Sequence, residues 1–335
     1  MDLFILKPCR LLPSFFLAFV LLVVCSTHAQ SVSGITHIPD TSYTTWSAYN
    51  NTRKTNPDIQ IVPEFHAKTV AEKRNISYCT IGERSLMLDA FYPTQRSRKK
   101  RIAIVIIHGG GWRSGNRTQH YPLAEHLANL GYVCFTPEYR LSTEALYPAA
   151  VLDLKSALKW VYLHAQEFNI DTSKISVLGF SAGGELAAFL GTTVADPVFE
   201  NSTCNGEQAV PIHAVVDIDG TLSFTHPETG EGDDSKKTSA ATYWFGYSKK
   251  ENFTLWEQAS PLTHVGPRTP PVLFINSSVD RMHAGRNDFI KVLNQYHIYS
   301  QVKTFANAPH SFCLFDPWFE PTVQYIDDFL KNVYK

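Results

Sequence analysis

The chain has 335 residues, with 30 Lys plus Arg against 31 Asp plus Glu and a net charge of −1. That balance gives no electrostatic basis for nucleic acid as the main partner. With 44% hydrophobic and 18% charged residues, the chain is neither disordered nor, with six cysteines, a disulfide-built scaffold.

The first thirty residues read as an address. Lys7 and Arg10 precede an apolar run from Leu11 to Val24, and the chain turns polar at Ser26–Gln30 with small residues at Thr27 and Ala29. This is the pattern of a signal peptide over residues 1–29, which predicts a secreted or periplasmic protein with no membrane partner once it is cleaved. The run is shorter than the roughly 20 residues a bilayer span requires. A lipoprotein anchor at Cys25 would follow the bulky Val24, where a small residue is usual. Cys79, Cys134, Cys204 and Cys313 remain after cleavage, and an exported chain permits disulfides among them without the sequence choosing any pairing.

Residues 30–71 carry many Ser, Thr, Asn and Pro without clear periodicity and predict an extended arm. From residue 72 strands and helices alternate. Asn75–Ile81 and Ser85–Tyr92 predict a hairpin, and the Ile/Val run at Arg101–His108 predicts a buried central strand. Helices are expected over Tyr121–Leu130 and over Ala149–Phe168, where Val151, Leu154, Leu158 and Val161 share one face. Strands follow at Tyr132–Pro137, Lys174–Gly179, Ala214–Ile218, Pro270–Ile275 and Ser300–Phe305. Further helices are expected over Ala182–Gly191, Ala284–Gln295 and Trp318–Tyr334. This order predicts an α/β fold with a mostly parallel sheet covered on both faces, spanning residues 72–335. Residues 220–268 interrupt the alternation and predict an insertion near the site.

Gly179-Phe180-Ser181-Ala182-Gly183 fits G-x-S-x-G between a predicted strand and a predicted helix. A serine on such a turn projects its hydroxyl as a nucleophile, and the helix aims backbone N–H groups at the same place. His108-Gly109-Gly110-Gly111-Trp112 follows the central strand. Glycine backbones can approach a developing oxyanion closely, so Gly110, Gly111 and Ala182 are the candidate N–H donors. His108 is expected to hold the loop rather than act as a base. In chain order the acid and the base should follow the serine. Asp280, after the strand ending at Ile275, is the candidate acid, with Asp288 the rival. His310, after the last strand, is the candidate base, ahead of His264 and His283.

Together with Glu138-Tyr139-Arg140-Leu141-Ser142 and Tyr147-Pro148-Ala149-Ala150, these motifs resemble the α/β-hydrolase superfamily. Within it they resemble the esterases related to hormone-sensitive lipase, and more closely the secreted bacterial carbohydrate esterases that act on acetylated xylan, feruloylated polymers or pectin. The resemblance implies an α/β-hydrolase fold, a Ser181–Asp280–His310 triad and ester hydrolysis without metal or organic cofactor. It departs from many relatives at Glu138, where Asp is common. It implies an acylated poly- or oligosaccharide as substrate, with acetyl the expected group and feruloyl the second choice. Trp112, Trp244, Trp256 and Trp318 are candidate faces for sugar rings. A general carboxylesterase or lipase-like hydrolase is the first alternative. A non-catalytic binding protein on this fold is the second, though such proteins usually lack a triad residue.

Overall fold

The computed structural model describes residues 32–194, 196–200, 204–206 and 208–335; the signal-peptide and Cys25 expectations lie outside these. The arm is not structureless. It carries helix α1 (Thr45–Thr52), opened by a reciprocal Thr44/Ser47 capping box, and strand β1 (Gln60–Ile61). The main sheet starts with the hairpin β2 (Val70–Ile81) and β3 (Arg84–Pro93), followed by β4 (Arg101–Ile107). Helix α2 (Tyr121–Asn129) leads to β5 (Val133–Pro137), and α3 (Ala149–Leu163) to β6 (Ile170–Phe180). Helix α4 (Ala182–Thr192) and strand β7 (Ala214–Ile218) come next, then short helices α5 (Ala240–Phe245) and α6 (Phe253–Gln258). The chain closes with β8 (Val272–Asn276), α7 (Arg286–Gln295), β9 (Ser300–Thr304), β10 (Phe315–Asp316) and α8 (Phe319–Val333).

Eight strands form one sheet in the order β2-β3-β5-β4-β6-β7-β8-β9, while β1 pairs with β10 apart from it. β2, β3 and β5 pair antiparallel; every pairing from β5–β4 to β8–β9 is parallel. The apolar run of β4 explains its central place. Side chains alternate faces along a strand. Ala103, Val105 and Ile107 enter the core shared with α3 and α4. Ile104 and Ile106 enter the core shared with α2 and α8.

Two expectations needed adjustment. Helix α3 stops at Leu163 rather than Phe168, and the chain runs on in turns to Asn169, which has φ +55°. The Asn169 side-chain amide donates to the carbonyls of Ser97 and Lys99 and fixes that turn, while Ala165 and Phe168 stay buried. Residues 220–268 are not merely laid over the surface: Trp244, Phe245 and Trp256 are fully buried in the core shared with α4.

A disulfide joins Cys79 on β2 to Cys204, a pairing the sequence left open, and Cys134 and Cys313 are buried free thiols. Glu138, at the end of β5, binds both Arg84 and Arg117, and Arg140 forms a forked pair with the buried Asp153 of α3. The Glu-Tyr-Arg stretch thus ties the hairpin, α3 and the sheet together. Among the described residues no helix is long and apolar enough to cross a membrane.

Candidate active site

The parallel strands end on one edge of the sheet, and the site is assembled from the loops there. Ser181 stands between β6 and α4 with φ 58° and ψ −122°, a left-handed conformation that a side chain adopts only under constraint. The constraint is visible: its N–H donates to the Ile218 carbonyl at 2.8 Å, and its carbonyl accepts the Glu185 N–H at 3.0 Å. A Cβ at Gly183 would collide with the carbonyls of Ile107 and His108, so the first turn of α4 lies against the end of β4 only because that residue is glycine.

His310 lies on the loop after β9. Its Nε2 is 2.8 Å from Ser181 Oγ and its Nδ1 is 3.0 Å from Asp219 Oδ2. A carboxylate only accepts, so Nδ1 carries the proton and Nε2 accepts from the serine hydroxyl. The His310 ring rests on Phe180, with centroids 4.9 Å apart. Its side chain is a quarter exposed, whereas Asp219 is wholly buried.

The acid here differs from the sequence expectation. Asp280 does not reach His310: its side chain is 95% exposed and lies 3.9 Å from His283 Nε2. Asp219, the first residue after β7, holds the place instead. The Ser277 N–H donates to Asp219 Oδ1 at 2.8 Å, and Ser278 is pinned to the Ala308 carbonyl through both N–H and Oγ. These bonds draw the chain after β8 across the site before Asp280 is reached, and Asp280 emerges at the rim beside Arg281 and Met282, which line the pocket. Asp219 preserves the order Ser, Asp, His. The signal for it was present, an Asp at the carboxyl end of a predicted strand next to Gly220, but two strands offered one.

The loop after β4 faces Ser181. Gly110 and Gly111 have φ +125° and +60°, and a Cβ on Gly110 would strike the Ser114 carbonyl. Among the described residues neither Gly110 nor Gly111 gives its backbone N–H to a protein acceptor. Ala182, in the first turn of α4, has no intrahelical acceptor for its own. All three line the pocket that holds Ser181 and His310. Burial lowers His108 to a pKa of about 4, so it is neutral. It stacks on Tyr139 at 4.4 Å and donates from Nδ1 to the Gly109 carbonyl, while Tyr139 OH donates to the His108 carbonyl. Gln119 Oε1 accepts the Gly109 N–H.

Sequence reasoning missed one residue of this framework. Glu185, wholly buried on α4, accepts the Trp112 Nε1–H at 2.9 Å and so links the nucleophile helix to the glycine loop. Burial, with Asp217 nearby, raises its carboxyl well above the usual range; burial, with Asp219 nearby, likewise raises Asp217.

The tryptophan expectations are corrected. Trp244 and Trp256 are fully buried and Trp112 is 4% exposed. Trp112 stacks on Trp244, with centroids 4.9 Å apart and planes 7° off parallel; Trp112 lines the pocket over Ser181, but its ring is buried against Trp244 rather than open as a platform. Trp318 is half-buried against the core shared with α8, away from the pocket. The pocket over Ser181 has a volume of about 800 Å³ and is walled by the arm (Asp40, Tyr43), the glycine loop, the 220–268 segment (Glu231, Tyr243) and Arg281.

A parallel sheet with a strained serine between strand and helix, a histidine on the last loop and a glycine loop opposite defines the α/β-hydrolase fold. The chain belongs to the BD-FAE family, whose profile matches residues 88–285. It is 31% identical over 194 residues to "Probable carboxylic ester hydrolase LipM" of Mycobacterium tuberculosis, covering 56% of this chain and 42% of that one. It is 27% identical over 228 residues to "Esterase LipQ" of the same organism, covering 66% and 52%. The chain thus spans about half the length of the curated relatives it matches. Among solved structures, the butyrate-bound esterase Est2 of Thermogutta terrifontis is 25% identical with a TM-score of 0.64, covering 80% of this chain and 95% of that one. A truncated carbohydrate esterase from gut microbiota shares the fold at 21% identity and a TM-score of 0.63, covering 78% and 96%.

Proposed function

We propose that this protein is an exported serine esterase that removes acetyl, or secondarily feruloyl, groups from plant polysaccharides such as xylan or pectin. The observation that carries the hydrolytic part is the unbroken chain of hydrogen bonds Ser181–His310–Asp219 beside the unpaired N–H groups of the glycine loop. In this reading Ser181 Oγ attacks the acyl carbonyl while its proton passes to His310 Nε2. Asp219 holds the imidazole tautomer and balances the imidazolium. The oxyanion falls to the N–H groups of Gly110, Gly111 and Ala182. His310 returns the proton to the departing sugar hydroxyl, leaving an acyl-serine. Water then gives a proton to His310 and attacks the ester carbon, and His310 returns that proton to Ser181 Oγ as the acid is released.

The names of the curated relatives and the butyrate held by Est2 support ester hydrolysis of short acyl groups. The presequence and the Cys79–Cys204 disulfide support export to an oxidising compartment. A pocket of about 800 Å³, near the upper end for small-molecule sites, supports an alcohol portion larger than the acyl group. The relatives' names equally favour a general carboxylesterase.

Acetate release from acetylated xylan and acetylated pectin, with Ser181→Ala as the blank and an aryl acetate alongside, separates these readings. Serine-dependent release from either polymer supports the polysaccharide esterase. Cleavage of the aryl acetate alone supports the general esterase. Undiminished turnover by Ser181→Ala would sink both.

A further inference from the structure

Among the described residues one tryptophan is open to solvent. Trp46 is 62% exposed, Trp112, Trp160, Trp244 and Trp256 are buried, and Trp318 is half-buried. Trp46 sits at the start of α1, a helix fixed by its capping box. Its ring stacks on Tyr49 at 5.5 Å, and Tyr49 packs edge-on against Phe315 of β10 at 6.1 Å. The indole is therefore held from behind in a set orientation while most of its surface faces water.

What lies beside it gives this exposure a purpose. Trp46 lines a groove of about 420 Å³ together with Asp40, Thr41, Tyr43, Asn116 and Gln119. Asp40 and Tyr43 are also walls of the pocket over Ser181, so the groove runs out of that pocket along the arm. Asn116 Oδ1 is occupied by Thr118 and Gln119 Oε1 by Gly109, which leaves the NH₂ donors of both amides uncommitted. An aromatic ring has a negative face that attracts the polarised C–H groups of a sugar ring. Amide donors beside it suit the hydroxyl oxygens at the sugar's edge.

We propose that this groove is a carbohydrate subsite, taking the sugar residue next to the acylated one in the same polysaccharide chain, with Trp46 as its stacking platform. The proposal rests on the polysaccharide-esterase reading and adds a site to it. It predicts that the enzyme prefers acylated oligosaccharides of two or more residues to acylated monosaccharides.

The test uses the mature chain with Trp46→Ala and Trp46→Phe. Loss of one stacked ring should raise KM for acetylated xylo- or galacturono-oligosaccharides about three- to tenfold more than KM for an aryl acetate, with kcat on the oligosaccharide little changed. Trp46→Phe, which keeps a ring, should recover most of the loss. In a Ser181→Ala background, adding oligosaccharide should change the tryptophan fluorescence, and Trp46→Phe should remove that change. Equal KM shifts on both substrates, or a fluorescence change that survives Trp46→Phe, would overturn the subsite while leaving the polysaccharide reading intact. Failure of the wild type to release acetate from any oligosaccharide, with aryl acetate still cleaved, would overturn both.

Discussion

Asp219 and Asp280 offer the sharpest contrast at the level of single residues. Asp219 is buried and bonded to His310, whereas Asp280 is open to solvent. Replacing Asp219 by Asn should reverse the tautomer preference of the imidazole and lower kcat by about 10⁴-fold, as for a triad acid. Asp280→Asn should stay within about threefold of wild type, and the reverse ranking in steady-state assays would reinstate Asp280. Glu185 makes a second prediction, with a definite sign. Its folded pKa lies well above the ordinary 4.5. In the unfolded chain it ionises near 4.5, so above that pH unfolding releases a proton. Its contribution to stability is thus complete below pH 4.5 and is lost as pH rises. Glu185→Gln keeps an acceptor for Trp112 and removes that loss. Urea unfolding should show the variant gaining on wild type between pH 4.5 and 7.5; a constant difference would mean Glu185 is ionised in the fold. The serine, the base and the glycine donors were legible in the sequence because each sits in a motif whose backbone demands particular residues. The acid was not, because an Asp after either of two neighbouring strands satisfies the same chain order, and only the Ser277 and Ser278 bonds decide between them.

Among the elements, the central strands were readable because burial on both faces requires unbroken apolar runs, as in β4 and β8. The arm was harder to read. Helix α1 buries only Ala48, and β1 has two residues, so neither leaves a hydrophobic period in the sequence. The arm is held by partners distant in the chain: β1 by β10, Tyr49 of α1 by Phe315, and Tyr43 OH by Ser311 Oγ at 3.2 Å, one residue from the base. The disulfide makes a prediction at this scale. It fastens the edge strand β2 to the segment after α4 and spans 125 residues of chain. Cross-linking a span near 100 residues removes enough freedom from the unfolded chain to stabilise by about 4–5 kcal/mol in the loop-entropy treatment. Reductant, or Cys79→Ser with Cys204→Ser, should therefore lower the denaturant midpoint clearly. An unchanged midpoint would show that the unfolded chain is not restrained by the bond.

For the molecule as a whole, the alternation of strands and helices was enough to predict the layered fold, since few arrangements cover a parallel sheet on both faces. What the sequence could not show was where a polar, glycine-rich stretch goes once folded. Residues 220–268 read as an insertion near the site because they break the alternation and hold Gly, Asp and Ser clusters. The segment does wall the pocket, and Trp244, Phe245 and Trp256 also fill the core. The stacked pair Trp112–Trp244 joins this segment to the glycine loop, and Glu185 holds the other edge of the same indole. The pocket wall and the loop facing Ser181 are therefore built on shared masonry. A designer who transplants the 220–268 segment from a cousin with another diet replaces a keystone, and must carry over the residues facing Trp112 along with it.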